Sequence, residues 1–172
     1  LPISTTCNSL ASVLLNMDKP GEALQWISKA SAYTTGNSRY DLVNANILIN
    51  SANAYMQLGK KNAALNCIRQ ALPLSREAQN LNTLATALRI QSNLYMQSGE
   101  NDVAESALRE MMAIRNTLNG VANITDDNLQ LANFYASSGQ LDKAIKICKD
   151  NLATGDPENP TDSTEKSYTN RI

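Results

Sequence analysis

The chain contains no histidine. Without an imidazole, Ser-His-Asp and Cys-His sites are excluded, along with the side chain most often used to move protons near neutral pH. The 7 glycines are scattered, so no glycine-rich loop is available to cradle a phosphate. Charge is scarce and balanced: 18% of residues are charged, with 15 Lys+Arg against 16 Asp+Glu, and the longest basic cluster is Lys60 and Lys61. That balance gives no general pull toward nucleic acid or an anionic membrane. Cys7, Cys67 and Cys148 are far apart and have no histidine to complete a ligand set. A zinc site therefore fails on ligand type and on spacing, and the three are expected as free, mostly buried thiols, the alternative being one disulfide, which needs neighbouring helices and an oxidising compartment. No cofactor is called for. No apolar run approaches the roughly 20 residues that span a bilayer, so membrane insertion by this stretch is not expected. The opening "LPISTTCNSL" has neither an initiator methionine nor a signal peptide and reads as an excised piece or mature form. A cytoplasmic setting is favoured over a periplasmic one. Oligomeric state is open.

What the sequence has in abundance is a repeat. Alanine recurs at Ala23, Ala64, Ala104 and Ala144, in steps of 41, 40 and 40. The same steps link Leu14, Tyr55, Tyr95 and Tyr135, then Ile27, Ile68, Leu108 and Cys148, and a turn column of Asp18, Gly59, Gly99 and Gly139. Within a copy, Leu48, Ala52 and Tyr55, then Ala64, Ile68 and Ala71, fall at helical three- and four-residue steps. Glycine between them suits a helix C-terminus that needs positive φ. Each copy therefore reads as two antiparallel helices joined by a tight turn, with alanines permitting close helix contact and tyrosines filling the space between hairpins. One hairpin cannot bury both apolar faces, so copies must stack. The fold expected is all-α: a solenoid of about four helical hairpins, near residues 4–36, 40–79, 80–119 and 122–154. Residues 155–161 read as a linker. Residues 162–172, where Asp162 and Glu165 resemble a capping box, read as the start of a truncated fifth copy.

Ala52, Tyr55, Gly59, Ala64 and Ala71, with their counterparts Tyr95, Gly99 and Ala104 and Leu131, Ala132, Tyr135, Gly139 and Ala144, resemble the tetratricopeptide repeat family. The usual period there is about 34 residues. The longer one here is similar to the repeats of kinesin light chains and of bacterial regulatory arrays, and it implies helices longer by most of a turn. Cys7, Leu48, Leu88 and Asn128 replace the tryptophan expected early in each first helix. Pro73 falls inside the apolar pattern of the second copy. A mid-helix proline costs about 3 kcal/mol, which predicts a kink or an early end near Leu72.

The resemblance implies a non-catalytic module that binds an extended peptide or a partner protein segment in a concave groove. Two alternatives are a sensor segment of a larger bacterial signalling protein and a scaffold working through its convex face. Asn53, Asn93 and Asn133 lie two residues before each tyrosine, on the side of the first helix opposite the packing alanines. An amide carries a donor and an acceptor, so these residues either pair with a peptide backbone or bridge neighbouring helices. Their expected groove neighbours are Asn46, Ile49, Met56, Gln57, Arg89, Met96, Gln97 and Leu129. Relatives that hold acidic chaperone tails use a clamp of lysine, arginine and asparagine. The matching positions here, Asn8, Thr86 and Ile90 in one frame and Ile49, Asp126 and Gln130 in the next, contain no base, which argues against that ligand. Asp126 and Asp127 read as acids complementing a helix N-terminus, and the "NIT" at Asn123 as an accidental glycosylation match.

Overall fold

The computed structural model describes residues 2–34, 37–119 and 124–153. The expected linker and fifth-copy helix lie outside them. Among the described residues the regular structure is helical: α1 (Pro2–Asn16), α2 (Pro20–Ala32), α3 (Asp41–Gln57), α4 (Lys61–Glu77), α5 (Leu81–Met96), α6 (Asn101–Asn119), α7 (Ile124–Ser137) and α8 (Leu141–Ala153), with one 3-10 turn at Ser38–Tyr40. The chain divides into two compact units, Leu1–Ile124 and Thr125–Ile172.

The repeat columns correspond to one capping device used again and again. At the end of α1 the Lys19 N–H donates to the Leu14 carbonyl at 2.9 Å and the Asp18 N–H to Leu15 at 3.1 Å. The same pair of bonds ends α3 (Lys60 to Tyr55, Gly59 to Met56), α5 (Glu100 to Tyr95, Gly99 to Met96) and α7 (Gln140 to Tyr135, Gly139 to Ala136). This is the Schellman arrangement, which satisfies otherwise orphaned carbonyls and requires a left-handed residue just past the helix. Gly59, Gly99 and Gly139 supply it with φ of 68°, 74° and 78°, and Asp18 adopts 57° in the first copy. The Leu14/Tyr55/Tyr95/Tyr135 column and the Asp18/Gly59/Gly99/Gly139 column are thus two parts of one motif.

The alanine column stands one turn into each second helix. Ala23, Ala64, Ala104 and Ala144 donate their N–H groups to the carbonyls of Lys19, Lys60, Glu100 and Gln140. Ala23, Ala64 and Ala104 have no exposed surface and Ala144 only 7%, so a larger side chain would push against the facing helix. Leu14, Tyr95 and Tyr135 are also buried, whereas Tyr55 is half-buried.

In the first unit α1 packs on α2, α3 on α4 and α5 on α6, while α2 meets α3 and α4 meets α5. The first helices α1, α3 and α5 also touch in series. One apolar cluster joins Cys7, Ala11 and Leu14 of α1 to Ala23 and Ile27 of α2 and to Ile47 and Ala54 of α3. Hairpins in this unit are therefore sealed to one another by the same kind of core that closes each hairpin.

Pro73 does not end α4. The helix continues to Glu77 with Pro73 inside it, which corrects the early end expected near Leu72. The residues around the proline hold the helix: Leu72 is 7% exposed and Ser75 fully buried, and Ser75 Oγ donates to the Ala71 carbonyl at 2.8 Å. Pro73 itself faces solvent, so its ring displaces no packing partner. Burial on both sides outweighs one lost backbone bond.

Of the thiols, Cys7 and Cys67 are buried and Cys148 is exposed, and all three are free.

Candidate functional site

The first unit contains a cleft of about 450 Å³ where its first helices face outward. From α1 it is lined by Thr5, Asn8, Ser9 and Ser12, from α3 by Val43, Asn46, Ile49, Asn50 and Asn53, and from α5 by Thr86. None of these side chains is charged. Helical periodicity accounts for the grouping: 5, 8, 9 and 12 and then 46, 49, 50 and 53 are single faces at steps of three, one and three. The repeat accounts for the match between the helices, because each α3 position is the α1 position moved by 41 residues. Ile49 is 5% exposed and forms an apolar floor under a rim of amides and hydroxyls.

Several of these polar groups also bond across the hairpins. Asn50 Nδ2 donates to Asn8 Oδ1 at 2.9 Å and to the Asn8 carbonyl at 3.3 Å. Thr83 Oγ1 donates to Asn46 Oδ1 at 3.4 Å, joining α5 to α3. Asn53, half-buried in the cleft wall, makes no side-chain hydrogen bond among the described residues, so its donor and acceptor both remain available there.

Three of the expected groove residues, Asn46, Ile49 and Asn53, line this cleft. The others lie elsewhere. Gln57 is exposed, and its Nε2 donates to the Leu15 carbonyl at 3.0 Å, which ties the end of α3 to the end of α1. Met56, Arg89, Asn93 and Met96 are half-buried outside the lining, and Gln97 is the exposed residue that ends α5. Leu129 and Asn133 are exposed on α7 of the second unit. Thr5, Ser9, Ser12, Val43 and Asn50 also line the cleft and are not among the expected groove residues. The signal for Ser9 and Ser12 was present, since they stand 41 residues before Asn50 and Asn53. Asn8, Ile49 and Thr86, considered as positions of a basic clamp, do reach the cleft, and they bring no positive charge to it.

Titration is perturbed away from the cleft. Burial pushes the Cys67 thiol up, and the Tyr95 hydroxyl, 3.4 Å from Arg69 Nη2, pushes the Arg69 guanidinium up. Both residues are on α4. No group of three or more His, Cys, Asp or Glu suited to a metal is found among the described residues. Nor is any helix among them long and apolar enough to cross a membrane.

The tetratricopeptide repeat family profile matches residues 45–77, which span α3 and α4. No curated protein matches the chain in sequence. Solved structures do match in fold. A kinesin-light-chain-like protein of Podosopora anserina with nearly identical TPR-like repeats is 16% identical, with a TM-score of 0.75 over 91% of this chain and 78% of that one. BtubC (BKLC) from P. vanneervenii is 19% identical, with a TM-score of 0.73 over 91% of this chain and 66% of that one. A MamA protein is also 19% identical, at 0.65 over 87% and 72%. At these identities the likeness is one of fold. Residues 45–77 thus match a tetratricopeptide repeat, and the other copies share its cap and alanine columns, which supports a tetratricopeptide-repeat-like helical array.

Proposed function

We propose that the chain is a non-catalytic protein-binding module whose α1/α3/α5 cleft receives an extended peptide segment. Tetratricopeptide repeats are in general protein-interaction modules, and the uncharged, amide-rich lining of the cleft is the observation that carries the finer reading. An extended strand presents alternating N–H and C=O groups, and Asn53, with neither half of its amide engaged, can answer both. The Ile49 floor adds a place for one apolar side chain of the peptide. With no charged residue in the lining, recognition rests on backbone pairing and apolar contact, so affinity should be nearly independent of ionic strength.

The test is a random peptide library displayed on phage, selected against the intact chain. Binders are then titrated calorimetrically against the wild type and Asn53→Ala, at low salt and at about 0.5 M salt. The proposal expects at least a tenfold loss in the variant and little change with salt. Selected peptides that bind Asn53→Ala as tightly as the wild type would place the binding surface outside this cleft.

A further inference from the structure

The two seams between successive first helices, α1 with α3 and α3 with α5, are built on the same positions and filled differently. Asn50 of α3 donates from Nδ2 to the side-chain oxygen and the backbone carbonyl of Asn8 on α1, at 2.9 and 3.3 Å. One copy further along the chain, Asn8 moved by 41 residues becomes Ile49 of α3, and Asn50 moved by 40 becomes Ile90 of α5. These isoleucines are 5% and 1% exposed. The α1/α3 seam thus carries an amide pair where the α3/α5 seam carries two buried aliphatic side chains.

The rest of each seam sharpens the contrast. Gln57 Nε2 donates to the Leu15 carbonyl at 3.0 Å, joining α3 to α1, whereas its counterpart Gln97 is exposed and makes no side-chain hydrogen bond among the described residues. The polar tie between α5 and α3, Thr83 Oγ1 to Asn46 Oδ1, is 3.4 Å long and stands at the start of α5. Elsewhere both seams are closed by apolar side chains. Ile47 and Ala54 share a cluster with Cys7, Ala11 and Leu14 in the first, and their counterparts on α5, Ala87 and Leu94, have no exposed surface.

These fillings respond differently to separation. Two amides drawn apart exchange their mutual bonds for bonds to water at little net cost, and Asn8 and Asn50 already stand half-buried in the wall of an open cleft. Two isoleucines drawn apart expose hydrocarbon to water with nothing in return. We propose that the Asn8/Asn50 pair is a latch and the α1/α3 seam the hinge of the first unit. The first hairpin swings as a body against the second about the apolar contact of Ile47 and Ala54, while the second and third hairpins move together. Because the latch residues line the cleft, its opening widens the cleft between α1 and α3 and leaves the α3/α5 side unchanged. The device does not depend on what the cleft receives.

Spin labels on the second helices test this with no ligand present. In a Cys148→Ser background, where the two remaining thiols are buried, one pair of labels is placed at Ser28→Cys of α2 and Gln70→Cys of α4. A second pair is placed at Gln70→Cys and Ala113→Cys of α6, and all three positions are exposed. Double electron-electron resonance should give a distance distribution about twice as wide for the first pair as for the second. Asn50→Ala should widen the first distribution further, Asn8→Ile combined with Asn50→Ile should narrow it to the width of the second, and neither should alter the second. Equal widths for the two pairs with the latch intact overturn the proposal, as does a first distribution that neither change moves. If the double isoleucine variant does not fold, the comparison of the two pairs and the response to Asn50→Ala decide the matter.

Discussion

Asn50 of α3 holds Asn8 of α1 by two hydrogen bonds from one amide nitrogen, to the side-chain oxygen at 2.9 Å and to the backbone carbonyl at 3.3 Å. The pair is 42 residues apart in sequence and partly buried, so it fastens the first hairpin to the second at a point that apolar packing does not reach. Removing the amide leaves two oxygens of Asn8 without that donor. Asn50→Ala should therefore lower stability by about 1 to 2 kcal/mol, read as a shift of the urea midpoint. A midpoint within error of the wild type would show that water replaces the amide at no cost.

Pro73 gives a prediction of opposite sign. It lies inside α4, exposed, and deprives the Arg69 carbonyl of its usual helical donor. Pro73→Ala restores that bond and relieves ring crowding, worth about 3 kcal/mol in a helix interior, against about 1 kcal/mol from the greater freedom of the unfolded chain. A net gain of about 1 to 2 kcal/mol is expected, with a higher midpoint of thermal unfolding. A lower midpoint would mean that the packing of Leu72 and Ser75 depends on a bend the proline sets.

The sequence disclosed the repeat because its strongest columns are backbone requirements. A Schellman turn demands a left-handed residue at one position, and the next helix starts two residues on, so Gly59, Gly99 and Gly139 recur in step with the alanines that follow. The early end expected at Pro73 failed because the penalty of a proline is visible in the sequence, whereas the burial of Leu72 and Ser75 that offsets it is visible only in the fold. The candidate cleft was half legible. Asparagine is conspicuous on the page, so Asn53 and Asn46 stood out, while Ser12 and Thr5, the same positions one copy earlier, did not. Gln57 carries the same amide chemistry and is spent on the Leu15 carbonyl, an assignment that exists only once α1 and α3 have packed.

Ala104 has no exposed surface at the start of α6 and holds the alanine column in the third hairpin. Ala104→Leu adds three carbons where two helices are already in contact. A loss of about 1 to 3 kcal/mol is expected, and Ser106→Leu, two residues on and exposed, is the control that should change stability little. Equal midpoints for the two variants would contradict the packing described for this column.

The thiols separate by exposure. Burial raises Cys67 above the ordinary thiol value, so the folded state keeps its proton to a higher pH than the unfolded chain does. The stability this contributes is fully present below the unfolded value of about 8.5 and is lost as pH rises through the folded one. In native conditions iodoacetamide should label Cys148 while sparing Cys7 and Cys67, until urea exposes them. Between about pH 7 and pH 10 the urea midpoint should fall less steeply in Cys67→Ala than in the wild type. Parallel slopes would remove Cys67 from the account of alkaline instability.

Two turns in the first unit put the backbone argument to its cleanest test. Gly99 has φ of 74° with nothing within 4 Å of where a Cβ would stand, so Gly99→Ala meets no steric clash with neighbours and pays only for the left-handed conformation, about 1 to 2 kcal/mol. Gln79, between α4 and α5, has φ of 51° and makes the same turn with a side chain attached, its N–H donating to Arg76 and that of Asn80 to Ser75. Gln79→Gly releases that strain while adding freedom to the unfolded chain, which returns about 0.5 to 1 kcal/mol. The first variant should therefore lose stability and the second should gain a smaller amount. Since neither side chain is packed, urea midpoints that move in the same direction would show that something other than backbone conformation governs these turns.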